Sequence, residues 1–238
     1  EKVQSDLEIV ENLVQQELYL RSGPLTKFVE LKINNLEKDI YSILLFSFAR
    51  FFGKPTKEVY AMAAVFQFIY LADLAHQEDG EFIHYEVLIG DFLFSKFYYF
   101  LCKYDLLEWL PSIASLLCQR QEAYVLKSHG PQELNTILEI IDKEKAKLYG
   151  KCCYIGTKLT RGSEELLQLA QAFGLHLGRG QNLLVYDQYM DLAAYNLEQA
   201  KNLLTYFPDG DSKENLYELL NFFVLGLPNS CTKIDRVG

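Results

Sequence analysis

Arginine is scarce in this 238-residue chain, limited to Arg21, Arg50, Arg120, Arg161, Arg179 and Arg236. Arginine is the side chain best suited to bidentate phosphate recognition, so little of that chemistry is available. Positive charge is short overall: acids outnumber Lys and Arg by 32 to 23, for a net charge of -9, which excludes nucleic acid as a partner because that affinity comes from clustered basic residues. Six prolines and 14 glycines are too few for an all-β chain of many tight turns and fit long helices with sparse interruptions. The five cysteines form an odd set without CxxC spacing, and most sit among apolar neighbours, so they are expected to be reduced and buried. No uninterrupted apolar stretch reaches the ~18 residues of a transmembrane helix, and the opening residues lack a basic region leading into an apolar run. A cytoplasmic protein without a transmembrane segment is the expectation.

What is present is apolar and aromatic: half the residues are hydrophobic, with 16 Tyr and 16 Phe, enough to fill one large α-helical core spanning 1–238 as a single domain. Helical spacing predicts about ten helices. The first covers residues 6–19, ended by Ser22-Gly23-Pro24. A polar-rich stretch at 25–36 leads into a buried helix at 40–52, and after Gly53-Lys54-Pro55 the side chain of Thr56 is placed to cap an almost wholly apolar helix at 59–75. Further helices are predicted at 85–101, 106–126 with Pro111 in the first turn, 134–158, 163–173, 183–206 and 213–225. Breaks are expected at Arg161-Gly162, at 174–180 and at Pro208-Asp209-Gly210.

In order and spacing these segments resemble the trans-isoprenyl (polyprenyl) diphosphate synthase family. Ile89-Gly90-Asp91-Phe92-Leu93 is similar to its "GDFLL" helix start, and residues 68–76, FIYLADLAH, are similar to its "LIHTASLIH". Phe173-Gly174-Leu175-His176-Leu177-Gly178 resembles "yGxxLG", and Ala200 through Leu204, Pro208 and Leu216 resemble the family's C-terminal pair of helices. The resemblance implies an all-α, isoprenoid-synthase-like bundle around a central cavity, with two Asp-rich motifs holding magnesium and diphosphate at a tunnel mouth.

The residues that would carry that chemistry are altered. Making a prenyl diphosphate needs carboxylates on Mg²⁺, because the ions neutralise the departing diphosphate. The first motif, DDxxD, falls on Gln77-Glu78-Asp79-Gly80-Glu81, leaving Glu78 and Glu81 as candidate metal ligands. A second candidate pair is Asp187 and Asp191, at i and i+4, expected to share a helical face. The family's Gly-Lys-Arg-x-Arg diphosphate grip falls on Glu37-Lys38-Asp39-Ile40-Tyr41, where only Lys38 remains, and the arginine pair following the first motif is lost with a shortened link. Its Lys-Thr pair falls on Glu144-Lys145, so that Lys143 or Lys145 would have to meet diphosphate. The family's tunnel floor corresponds to Ala72 and Asp73, with Phe66 and Ile69 also lining it. A carboxylate in a hydrocarbon tunnel must be paired or protonated, so either the tunnel is blocked or Asp73 has turned to a partner.

Other constellations are weaker. Asp73-x-x-His76 and Glu81-x-x-His84 have ligand spacing but not the concerted four-helix set of a di-metal bundle, and His129 and His176 have no acid or Cys at ligand spacing. No catalytic nucleophile can be nominated. Residues 92–100 are apolar almost all round, which calls for either a larger core or a subunit interface.

The expected function is a polyprenyl synthetase-like protein of isoprenoid diphosphate biosynthesis, inactive alone and paired as a degenerate subunit with an active prenyl diphosphate synthase. Homodimerisation is the other pairing. The alternatives are a divergent active prenyltransferase using Mg²⁺ on Glu78, Glu81, Asp187 and Asp191, or a module that keeps the fold to bind a prenyl diphosphate, an apolar lipid or another protein. Without activity no cofactor is expected.

Overall fold

The computed structural model describes residues 2–20, 23–24, 33–77, 83–130 and 133–225. The chain divides into two compact units, Glu1–Phe46 with Pro55–Leu110, and Ser47–Lys54 with Pro111–Gly238. Ten α-helices occur among the described residues, with one antiparallel pair of two-residue strands, β1 (Tyr19–Leu20) and β2 (Gly23–Pro24).

In the first unit α1 (Lys2–Glu17) and α4 (Ile83–Lys103) pack on α3 (Lys57–Gln77). From Ala61 to Ala72 every residue of α3 is buried, as expected for a helix with no polar face. It is the one described helix long and apolar enough to cross a membrane, and 83% of that stretch is buried within the protein. Residues 25–32, where a polar-rich helix is predicted, lie outside the described residues. Helix α2 (Asn35–Arg50) begins at a cap the sequence reasoning missed: the Asn34 side-chain oxygen accepts from the Leu36 and Glu37 amides at 3.1 and 3.4 Å. Of the four described cysteines, all free, Cys152 and Cys153 are buried, but Cys102 and Cys118 are exposed on outward faces of α4 and of α5 (Leu110–Lys127).

The second unit takes the last turn of α2 and α5 through α10. Helix α5 has Pro111 in its first turn, where its missing N–H is not needed. The predicted helix at 134–158 is three pieces: α6 (Leu134–Ile141), a π-helical segment Asp142–Ala146, and α7 (Lys147–Leu159). Helix α8 (Glu164–Leu183) starts at Ser163, whose hydroxyl accepts from the Leu166 amide, and runs straight through 174–180, where a break is predicted. These glycines serve close approach: a Cβ at Gly174 would stand 2.5 Å from backbone atoms of Tyr149 and Gly150, and one at Gly178 2.5 Å from the Cα of Ala146. Helices α7 and α8 therefore touch backbone to backbone.

The predicted helix at 183–206 starts late. A turn at Leu184 and a 3₁₀ segment, Asp187–Tyr189, precede α9 (Met190–Leu203). A second 3₁₀ segment, Leu204–Tyr206, leads to α10 (Asp211–Val224), entered through Gly210 at φ 146°, a conformation that disfavours a side chain. The unit's aromatic centre is Phe48, from the end of α2, with ring centroids 5.1 Å from Phe173 and 5.2 Å from Phe207.

Candidate functional site

The four tunnel candidates follow one another along α3. Phe66, Ile69 and Ala72 are wholly buried, and Asp73 is 4% exposed, so a carboxylate does enter this apolar helix. It is not isolated there, as its burial demands. One turn on, the His76 ring stacks on Phe94 at 5.7 Å between centroids, with Nε2 3.7 Å from a carboxylate oxygen of Asp91. Gly90 makes room for it, since a Cβ there would fall 2.4 Å from that nitrogen. The "GDFLL"-like segment thus packs against the end of α3. Glu78 and Glu81 lie outside the described residues.

Lys38, on α2, is tied to its own unit. Its Nζ donates to Glu11 on α1 at 2.6 Å and lies 3.7 Å from Asp39. Burial would raise Glu11, but hydrogen bonds from Gln15 and Lys38 outweigh it and hold the carboxyl below its ordinary value of 4.5. Asp39, by contrast, is raised by burial, against the pull of Lys38. A depressed acid stabilises the fold above its unfolded pKa, and that contribution disappears as pH falls through the folded value. Glu11→Gln is therefore expected to lower stability near neutral pH, with the gap to wild type closing as pH falls below the ordinary 4.5 and through the lower folded value of Glu11. Urea melts of both proteins across that range check this.

In the second unit the remaining lysine candidates occupy the π-helical segment, a local widening that is often found at functional sites. Every acid and base described there is engaged. Lys143 bonds Glu139 at 2.7 Å and Glu122 of α5 at 3.0 Å, and these two partners, in that order, hold its ammonium above the usual range. Glu144 pairs with Lys127 of α5. Lys145 is also engaged. Asp142, which sequence reasoning passed over, accepts two 2.7 Å bonds from Nε and Nη2 of Arg179 on α8, a fork in which each oxygen meets one nitrogen. Nothing in the sequence pairs two residues 37 positions apart.

Asp187 and Asp191 are both exposed, but do not share one helix: Asp187 is in the 3₁₀ segment and Asp191 in the first turn of α9. Among the described residues no group of three or more His, Cys, Asp or Glu side chains could hold a metal ion.

No protein-family profile matches the chain, and no curated protein does. Solved structures do match along nearly its whole length. A decaprenyl diphosphate synthase from Rhodobacter capsulatus is 15% identical, with a TM-score of 0.84 over 96% of this chain and 98% of that one. A polyprenyl synthase from Caulobacter crescentus CB15, complexed with calcium and isoprenyl diphosphate, is 20% identical, with a TM-score of 0.81 over 92% and 95%. A geranylgeranyl pyrophosphate synthase from Corynebacterium glutamicum, also complexed with calcium and isoprenyl diphosphate, is 15% identical, with a TM-score of 0.79 over 96% and 97%. The chain has the all-α fold of the trans-isoprenyl diphosphate synthases.

Proposed function

We propose that this chain is a catalytically degenerate, cytoplasmic, single-domain subunit of a heteromeric prenyl diphosphate synthase, pairing with an active homologue and shaping its tunnel or product length. The observation that carries this is the state of the cations. Lys38, where the synthase resemblance asks for a diphosphate ligand, is held by Glu11; Glu144 stands where a lysine is expected, and its neighbour Lys143, which would have to substitute, is held by Glu139 and Glu122. A departing diphosphate needs positive charge free to meet it, and cations already neutralised by carboxylates supply little. Magnesium, if bound, would depend on Glu78 and Glu81 of the first motif or on Asp187 and Asp191 of the second.

Helix α4 supports the pairing. Val87, Leu88, Tyr98 and Tyr99 stand 44%, 64%, 47% and 46% exposed on it, and apolar side chains grouped along one helix favour burial by a partner. The purified chain is expected to give no product from allylic diphosphate, isopentenyl diphosphate and Mg²⁺, and to co-purify with an intact DDxxD-bearing synthase whose product length it changes. A stable homodimer that turns over these substrates alone would favour the divergent-enzyme alternative and sink the proposal.

A further inference from the structure

Helix α5 covers one side of the second unit with little apolar burial. Of its 18 residues only Ile113, Arg120 and Ala123 are buried, and Arg120 is a cation, whereas α7 buries eight of its 13. The face that α5 turns to α7 carries Ser112, Ser115, Leu116, Gln119 and Glu122, at the three- and four-residue spacing of one helical side. Along the first half of that face the helix does not close on its neighbours. Ser112, Ser115 and Leu116 wall a cavity of about 440 Å³, with Gly150 of α7 and Leu175 of α8 opposite.

Along the second half, polar groups make the span. Gln119 accepts from the Lys147 Nζ at 2.7 Å, Glu122 lies 3.0 Å from Lys143, and Lys127 pairs with Glu144. The far side of this ladder is anchored, because the fork from Arg179 of α8 to Asp142 holds the π-helical segment. Its near side is reached by water: the side chains of Glu122 and Lys127 are 59% and 44% exposed. Ion pairs of that kind are screened by salt, over a length that shrinks to about 3 Å at about 1 M. Apolar burial such as joins α7 to α8 is not electrostatic and escapes that screening. Ser112, Arg120, Tyr124 and Leu126 are engaged as well, so α5 is seated rather than loose.

We infer that α5 is a charge-latched lid over this cavity: the ladder holds it down, and weakening the ladder lifts α5 as a unit while α7 and α8 stay packed. Native proteins open in such cooperative segments, and those with few buried apolar residues open first. Pro111 at one end and Gly130, at φ 91°, at the other bound the moving part. The lid concerns neither turnover nor pairing, so it stands apart from the subunit proposal.

Hydrogen exchange of the full chain at about 0.05 M and about 1 M NaCl tests it. Amides of α5 are expected to exchange at least tenfold faster at the higher salt, with those of α8 unchanged. Amine acetylation read by mass spectrometry follows the cavity itself: Lys147 and Lys151, which line it, should label several-fold faster in high salt, and the exposed Lys54 at the same rate in both. Lys127→Glu should release α5 at low salt, and Lys127→Glu/Glu144→Lys, which restores opposite charges, should return its protection. Circular dichroism of each variant separates a lifted helix from lost structure. Protection of α5 that ignores salt, or that falls together with that of α8, overturns the assignment. Cavity lysines that label at one rate in both salts, or a folded double variant as open as the single one, overturn it too.

Discussion

Phe48→Ala is expected to lower the stability of the second unit by about 4 kcal/mol, from the usual 3–5 for emptying a buried phenylalanine site. Phe48 is wholly buried, and its ring meets Phe51, Phe173 and Phe207 at 5.5, 5.1 and 5.2 Å between centroids. Those neighbours come from the turn that follows α2, from α8 and from the loop before α10, segments that cannot close together on the void without shifting their helices. The melting temperature should fall by roughly 8–16 °C, taking about 2–4 °C per kcal/mol for a chain of this size. Phe222→Ala is the comparison: that ring is 59% exposed, and its loss is expected to cost under about 1 kcal/mol. Equal melting points for the two variants would show that the aromatic cluster does not hold the unit together.

Gly174→Ala is expected to destabilise by about 2 kcal/mol, although helix propensity alone predicts a gain of about 1. The clash must win because the atoms 2.5 Å from the added Cβ are main chain, the carbonyl of Tyr149 and the amide of Gly150, which cannot rotate aside as a side chain can. Helices α7 and α8 would have to separate, lifting Phe173 and Leu177 from the core with them. Gly53→Ala is the control for the added methyl without a clash, since Gly53 lies in the bend after α2 and nothing lies within 4 Å of a Cβ there. Denaturant unfolding of both variants decides the sign, and a stabilised Gly174→Ala protein would mean that the two helices are not in backbone contact.

The pair of variants also shows why some elements were legible in the sequence and others were not. The long helices were, because their apolar residues fall at helical spacing and because Gly162, Pro208 and Gly210 interrupt them where the chain does turn. Gly174 and Gly178 give the same local signal as Gly162, yet they sit mid-helix. Whether a glycine makes a turn or a close approach depends on the facing residues, here Gly150 and Ala146, more than 20 positions away. The candidate site follows the same division. Residue types at the expected positions exposed the altered motifs, including Glu144 and the solitary Lys38. That Lys38 is taken by Glu11, and Lys143 by Glu122, is a tertiary fact without a local pattern.

The widened turns at Asp142–Ala146 bear on how positions in this chain are counted. A π turn closes its hydrogen bond one residue later than an α turn, so such a stretch accommodates an additional residue without ending the helix. Numbering carried without a gap from α6 into α7 therefore slips by one against an uninterrupted helix of another protein. Glu144 and its two lysine neighbours stand inside that slip, and deciding which of the three occupies a given place in a relative requires superposed backbones rather than aligned letters.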